Sequence, residues 1–550
     1  MNRRRRGLAV GATLLAAATL GAACGGGDGS ASSDGSDSTE PAEIVRGGEI
    51  TYALEAESSG GFCFPDAQLA ASGMIVTRAI YDFLVVPSEG ESGYAPYLLE
   101  SLDQNEEATV WTLKLREGIK FHDGTDLDST VLKNNIDSWL GRYPNRVSLF
   151  LPFVLEQVDT VDIVDDLTVQ ITTKIPWVQF PPFLYGGARL GIMAQSQLDD
   201  PDNCDKELVG TGPFMFEEWV VNDQLSAVRN PDYWATDGDG AEVPYLDRIT
   251  FRPVPDAQTR VNGLLSGEYD VIMTSGAEAT EQLDAEAANG NVTLTQTLKN
   301  AEVGALMFNE GRPPFDDEGA RRAAATALDR EEYKNVVTFG LFESASGPFA
   351  PGAPGYVEDA GFPEYDPAEA KRLVEDYEQR TGQPLEFSYL HGNSPADIRS
   401  AQFIAGYFED AGMKVNLQTR EQATLIAEAL GTEWDMIAFR NFPGGAPDGN
   451  YPWWYSTSPV NFPKMDDPVI DQLMDQGRSE LDRAKALAIY EEVNRELNAR
   501  VHYLWLDWTQ WTIATRPDIA GVMGPTLPSG DKPSEGLSTG HATVGLHYTQ

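Results

Sequence analysis

Two periods of hydrophobic placement alternate along this chain. TVWTLKLR (Thr109–Arg116) sets Trp111, Leu113 and Leu115 on one face and Thr112, Lys114 and Arg116 on the other, the period of two of a half-buried strand. ITYALEAE (Ile50–Glu57) reads as an earlier strand, and VDTVDIVDDLTVQITT (Val158–Thr173) as two strands about an Asp165–Asp166 turn. Helical spacing enters later. DDEGARRAAATALDR (Asp316–Arg330) opens on acids and closes on Arg330, as a helix dipole favours, so one helix is expected there. Ile398, Ala401, Phe403, Ile404, Tyr407, Phe408 and Ala411 make a helical stripe, and MKVNLQT (Met413–Thr419) alternates as a strand after it. WDMIAF (Trp434–Phe439) is a short apolar strand, and Leu487, Tyr490, Val493, Asn494 and Leu497 mark another helical face. Such mixing over 550 residues predicts an α/β fold in more than one lobe.

The start of the chain follows neither period. Arg3, Arg4, Arg5 and Arg6 precede an uncharged apolar run over residues 8–23, shorter than the about 20 residues of a membrane span. Basic start, short apolar core and small residues at the end are the layout of a secretory signal, here 1–23. Gly21, Ala22 and Ala23 lead into Cys24, which resembles the lipobox of bacterial lipoproteins, with Gly21 where a leucine is usual. Cys24 is the expected lipidation site; the other reading is an ordinary signal with an incidental cysteine. Residues 25–42 hold no large apolar side chain and cannot offset their ordering entropy. A lipid-anchored tether over 24–45 is expected, holding the folded body just outside the cell membrane.

Composition narrows the partners. Hydrophobic residues at 41% support a globular body, while a formal net charge of −45 argues against nucleic acid, which needs positive patches. It argues equally against adsorption to an anionic membrane. Beyond Cys24 the only cysteines are Cys63 and Cys204. In an exported chain a disulfide between them is expected, two buried free thiols being the alternative.

A search for chemistry gives little. His122, His391, His502, His541 and His547 fall in no zinc spacing. GLSTG (Gly536–Gly540) has the form of a nucleophile elbow about Ser538, but no acid follows it and its surroundings read as loop. TDGDGAE (Thr236–Glu242) and DPDNCD (Asp200–Asp205) read as polar turns rather than calcium loops. Neither catalysis nor a cofactor or metal is expected.

Four ordered segments then resemble a known family. They are APYLLESLDQNEEATVWTLKLREGIKFHDGTDL (Ala95–Leu127), LVGTGPFMFEEWVVNDQLSAVRNPDYW (Leu208–Trp234), MFNEGRPPFDDEGARRAAATALDREEY (Met307–Tyr333) and FIAGYFEDAGMKVNLQT (Phe403–Thr419). They are similar to the family 5 extracellular solute-binding proteins, the substrate-capturing components of ABC importers. The resemblance implies a two-lobed clamp of the periplasmic-binding-protein kind with an extra third domain. The first lobe would comprise 46–95, 205–300 and 500–550, the extra domain 96–204, and the second lobe 301–499. It implies capture of a peptide or similarly sized solute by a monomer, and delivery to permease and ATPase subunits. A secreted hydrolase on the same scaffold, or an oligosaccharide-binding or sensing receptor, is the alternative. GTGPF (Gly210–Phe214), expected as a tight turn near the hinge, FHDGT (Phe121–Thr125) and NPDYW (Asn230–Trp234) have bland explanations as turns and identify the fold only.

The family also places the ligand. Peptide binders hold the ligand amine with an aspartate in the loop that here reads RNFPGGAPDGNYPWWYS (Arg440–Ser456). Pro443 falls near its place and Asp448 follows a few residues later, so the anchor is expected to be missing or displaced, which argues against a simple dipeptide ligand. Arg440 is expected to fork a carboxylate, with Asn441 beside it. Trp453, Trp454 and Tyr455 either stack on the solute or lie in the core. Gly61 and Phe62, after the first strand, are expected to line the cleft.

Overall fold

The computed structural model describes residues 43–550 apart from 59, 60, 65, 68, 91, 149, 150, 442–445, 535, 538 and 539. Cys24 and the signal segment, Pro443 and Ser538 therefore lie outside the described residues. The folded body starts earlier than the tether's expected end: Ile44–Val45 pairs antiparallel with His547–Thr549, so the tether reading stops short of Glu43.

One ten-stranded sheet runs through both lobes. Its order is Lys414–Arg420, Glu386–Gly392, Met436–Asn441, Thr293–Phe308, Tyr503–Thr515, Val271–Thr274, Glu49–Leu54, Arg248–Pro253, Gln224–Arg229 and Phe214–Val220. The two central strands are the longest, at 16 and 13 residues, because each serves both lobes. Their ladder breaks between Thr297, opposite Trp511, and Glu302, opposite Thr509. On one side of that break Trp511 and Ile513 join the first lobe's core; on the other Tyr503, Leu504, Trp505, Leu506 and Trp508 pack in the second. The lobes thus divide within these strands at about Gln510, and not at residue 500; 503–508 belong with the second lobe.

Alternation decides the layers. In the first lobe Tyr52, Leu54, Val271, Met273 and Ile513 face one core, and Ala53, Ile272 and Ala514 face the other under two helices, Ala257–Ser266 and Ala277–Ala288. The extra domain has a four-stranded antiparallel sheet in the order Leu99–Gln104, Val110–Leu115, Thr168–Thr173, Val158–Asp165. Trp111, Leu113 and Leu115 are buried as the pattern predicts, in a core continuous with that of the first lobe. In the second lobe Leu306, Phe308 and Met436 face helices Glu318–Ala327 and Pro395–Asp410, while Val303, Ala305, Met307 and Ile437 face Pro468–Ser479 and Arg483–Ala499. The single helix expected over 316–330 is two. Leu328 is extended, and Asp329 caps a second helix, Arg330–Val337, through Glu331 and Glu332 N–H. A capping aspartate outweighed the dipole pattern. Cys63 and Cys204 are joined, with Cα atoms 5.2 Å apart.

The resemblance-bearing turns meet about a buried carboxylate. His122 donates its backbone N–H to Gly210 O at 2.9 Å and its Nε2 lies 3.0 Å from Gly212 O. Asn230 Nδ2 donates to the same Gly212 carbonyl at 3.1 Å. A β-carbon on Gly210 or Gly212 would come within 2.1 or 2.5 Å of the Ile80 carbonyl group, a contact that only glycine permits. Asp82, 2% exposed, accepts from Trp234 Nε1 (2.8 Å), Thr211 Oγ1 (3.1 Å) and Tyr233 OH (3.1 Å). Burial pushes its carboxyl up to about 6 against these donors and Arg78. GTGPF precedes the outer edge strand of the sheet, far in strand order from the two central strands, so it is a knot between first lobe and extra domain and not a hinge feature. Asp200 and Asp237 accept backbone N–H groups from their own turns, as polar turns do.

Candidate functional site

The lobes meet around one arginine. Glu55 follows Glu49–Leu54 and Ser275 follows Val271–Thr274, both at strand ends of the first lobe. Arg440 projects from Met436–Asn441 of the second lobe. Its Nη2 lies 3.6 Å from Glu55 Oε2, its Nε lies 3.8 Å from Glu302 Oε2, and its Nη1 donates to Ser275 Oγ. The guanidinium stands 5.3 Å from the Trp511 ring centroid, and Trp511 Nε1 donates to Glu302 at 3.0 Å. Ser275 N and Oγ both donate to Glu55 Oε1, at 3.1 and 2.9 Å, and Arg260 Nη2 stands 3.4 Å from the same oxygen. A second ion pair, Arg399 to Glu278 at 2.6 Å, joins the lobes at the surface.

The two glutamates are poised differently. Burial would raise Glu55, but Arg440, Arg260 and the Ser275 donors outweigh it and hold the carboxyl low. Burial prevails at Glu302, which has Arg440 and Trp511 as partners but also the nearby charge of Glu55, and its carboxyl is raised. Burial would lower Arg440, but Glu302 and Glu55, with Asp397 and Asp507 farther off, outweigh it and raise the guanidinium. Arg189 adds a third arginine from the extra domain; burial pulls it down to about 10, with Glu302 opposing. On the other face of the second-lobe sheet Val303, Ala305, Met307, Tyr503 and Trp505 floor an apolar recess walled by Pro348, Phe439, Asn441 and Trp454. The cleft thus offers charged and hydrogen-bonding groups. Among the described residues no three of His, Cys, Asp or Glu come together as a metal site.

A family model described as "Bacterial extracellular solute-binding proteins, family 5 Middle" matches residues 93–462. The chain belongs to this family. Relatives of this family 5 solute-binding protein include the nickel-binding periplasmic protein of Escherichia coli K12, 25% identical over 82% of this chain and 87% of that one. Di/tripeptide-binding protein 2 of Pseudomonas aeruginosa is 25% identical over 80% and 86% of the two chains. Among solved structures, the PBP AgaA of A. tumefaciens R10 with agropinic acid superposes with TM-score 0.79 at 24% identity, covering 92% of this chain and 99% of that one. DppA of Helicobacter pylori with the peptide STSA gives 0.78 at 21%, covering 92% and 99%. These superpositions show the fold, the two-lobed α/β clamp.

Of the residues expected at the ligand site of this solute-binding protein, the structure brings Arg440 to the interlobe cluster and sets Asn441 in the apolar recess on the opposite face. The others go elsewhere. Phe62, 1% exposed, packs edge-on to Trp219 in the first-lobe core. Gly61 has a positive φ of 68°, and a β-carbon there would lie 2.6 Å from Asp205 Cβ; it serves the chain path beside the disulfide. Asp448 is fully buried: it accepts from Arg478 Nε at 3.0 Å, Tyr490 OH at 3.0 Å and Trp177 Nε1 of the extra domain at 2.8 Å. Its oxygens are taken, so it is no displaced amine anchor. Trp454, 1% exposed, packs on Phe349 and walls the same recess as Asn441, and the partly buried Trp453 packs on Phe462 against the second-lobe core. Sequence reasoning missed Glu55, Ser275, Glu302 and Trp511; Glu55 lies in the strand expected over Ile50–Glu57, and the pattern gave no strand for the other three.

Proposed function

We propose that this protein is the substrate-binding component of an ABC importer, held at the outer face of the cell membrane by an acylated Cys24. A monomer captures a peptide or similarly sized solute between its lobes and delivers it to a permease driven by ATPase subunits. The observation that carries the reading is Arg440, a second-lobe residue whose partners Glu55 and Ser275 belong to the first lobe. These contacts exist only when the lobes are together. The Arg440–Glu55 pair is half-buried, its side chains 35% and 21% exposed, and such a pair gains little once its desolvation is counted. Closure therefore depends on what lies between the lobes, and a solute that touches both shifts the population toward the closed form. No bond of the cargo is broken.

The test is a thermal-shift panel of short peptides, oligosaccharides and metal chelates on the purified chain, with recovery of the solute for mass spectrometry. A solute at 100 times its Kd adds about 2.7 kcal/mol of stability. A class that raises Tm and returns unaltered supports capture; a solute returned cleaved overturns it. Anchoring is tested separately, by the loss of fatty-acid labelling and membrane association in Cys24→Ala.

A further inference from the structure

Strand pairing puts Arg440, Gly304 and Asp507 in one row: Gly304 stands opposite Arg440 on one side and opposite Asp507 on the other. Adjacent strands lie about 4.8 Å apart, so two charged side chains flank a position with none. Simple alternation from Tyr503 and Trp505 would turn Asp507 to the other face of the sheet. A bulge prevents it. Pairing passes from Gly304–Asp507 to Ala305–Trp505, leaving Leu506 as the extra residue. Leu506 packs with Leu306 and Phe308, whereas Tyr503, Trp505 and Trp508 pack with Val303, Ala305 and Met307. Bulges re-aim side chains in this way. A β-carbon at 304 would lie 3.3 Å from Asp507 Oδ2, so the carboxylate leans over the glycine.

That carboxylate is under-partnered. Asp507 is 8% exposed, and its Oδ1 accepts from Thr509 Oγ1 at 3.2 Å. Among the described residues no hydrogen bond reaches Oδ2, and no lysine or arginine comes within 4 Å of either oxygen. Arg440 acts on it from farther off and is already engaged by Glu55, Glu302 and Ser275. Buried carboxylates are ordinarily paired or fully hydrogen-bonded. Here the oxygen without a donor lies over Gly304, beside the residues that join the lobes.

We propose that Asp507, reaching over Gly304, receives a primary ammonium group of the solute held between the lobes. The amine anchor thus sits on a strand shared by both lobes, and not in the loop after Met436–Asn441. This rests on the capture reading above and narrows its cargo to solutes with a free amine.

The test uses two libraries of Ala-X-Ala tripeptides, one with free N-termini and one N-acetylated, equilibrated with the purified chain and read by native mass spectrometry. The free-amine library is retained at least tenfold better, and Asp507→Asn, folded by its Tm, loses that preference. Equal retention of both libraries, or a preference that survives in Asp507→Asn, overturns the anchor and leaves capture standing. So does capture of an oligosaccharide or a metal chelate without an amine. If no peptide, oligosaccharide or chelate is retained, capture fails and the anchor with it.

Discussion

Asp82 and Asp507 are the same group in nearly the same burial, yet the chain answers them differently. Each has lost more than nine-tenths of its exposure, and burial pushes each carboxyl up to about 6. Around Asp82 three neutral donors from Thr211, Tyr233 and Trp234 close on the two oxygens. Around Asp507 one hydroxyl donates, and the second oxygen looks over a glycine. Desolvation costs alike at both places, so the difference lies in who supplies the partners. At Asp82 the fold supplies them from within the first lobe, and the result is a closed structural knot. At Asp507 the fold withholds them where the lobes come together, which is the place for something that is not part of the chain.

The comparison breaks first in unfolding experiments. Asp82→Ala leaves three buried donors unanswered, each worth about 1–3 kcal/mol, and is expected to cost about 3–5 kcal/mol in urea titrations while the folded fraction keeps its ligand affinity. Asp507→Ala orphans one hydroxyl and removes an unpaired charge; its stability stays within about 1 kcal/mol of the parent, and its affinity falls. Equal losses from the two substitutions mean the two carboxylates play one structural role.

Acid titration sharpens the contrast. Each folded pKa of about 6 lies above the ordinary aspartate value of about 3.9, so between those values the folded state binds the proton that the unfolded state has released. Stability from either group is then fully present below about pH 4 and is lost as pH rises through about 6, by about 3 kcal/mol per group. Asp82→Asn and Asp507→Asn each remove one such slope from a Tm–pH profile. Saturating an amine-bearing solute should flatten the Asp507 share, because an ammonium lowers that pKa, and leave the Asp82 share intact. A profile unchanged in the Asp82→Asn variant contradicts the assignment.

The same contrast explains what could be read from the sequence. The Asp82 knot joins residues up to 152 positions apart, but its parts sit in short turn motifs: glycines at Gly210 and Gly212, aromatics at Tyr233 and Trp234, a histidine in a turn at His122. Such turn chemistry leaves a signature, and the strand of Trp111, Leu113 and Leu115 was equally legible from its period. Helix ends were not: Asp329 caps a new helix where a basic end was expected. Asp448 was expected at the ligand because the family's peptide binders carry an aspartate in that loop, and only the fold brings Arg478, Tyr490 and Trp177 onto it. Asp507 was invisible for a stricter reason. Its face is set by one extra residue, Leu506, in a ladder whose register depends on a strand some two hundred positions away, and alternation read along the chain gives the wrong side.

The smallest change in stability should come from the position between the two charges. Gly304 is absent from the residues with positive φ, so an alanine there meets no backbone strain, and strand glycines gain from substitution in the unfolded state. Its only tight neighbour would be Asp507 Oδ2 at 3.3 Å, a side-chain atom that yields by a few tenths of an ångström. Gly304→Ala is therefore expected within about 1 kcal/mol of the parent in stability. The new methyl nevertheless occupies the space through which an ammonium would reach the carboxylate. Retention of free-amine tripeptides should fall about tenfold, close to the 1.4 kcal/mol that one charge-assisted hydrogen bond contributes, while weak retention of N-acetylated ones stays as it was. A variant that binds free amines as the parent does would mean that Asp507 is approached from another side, and the row across the three strands would then be a feature of packing alone.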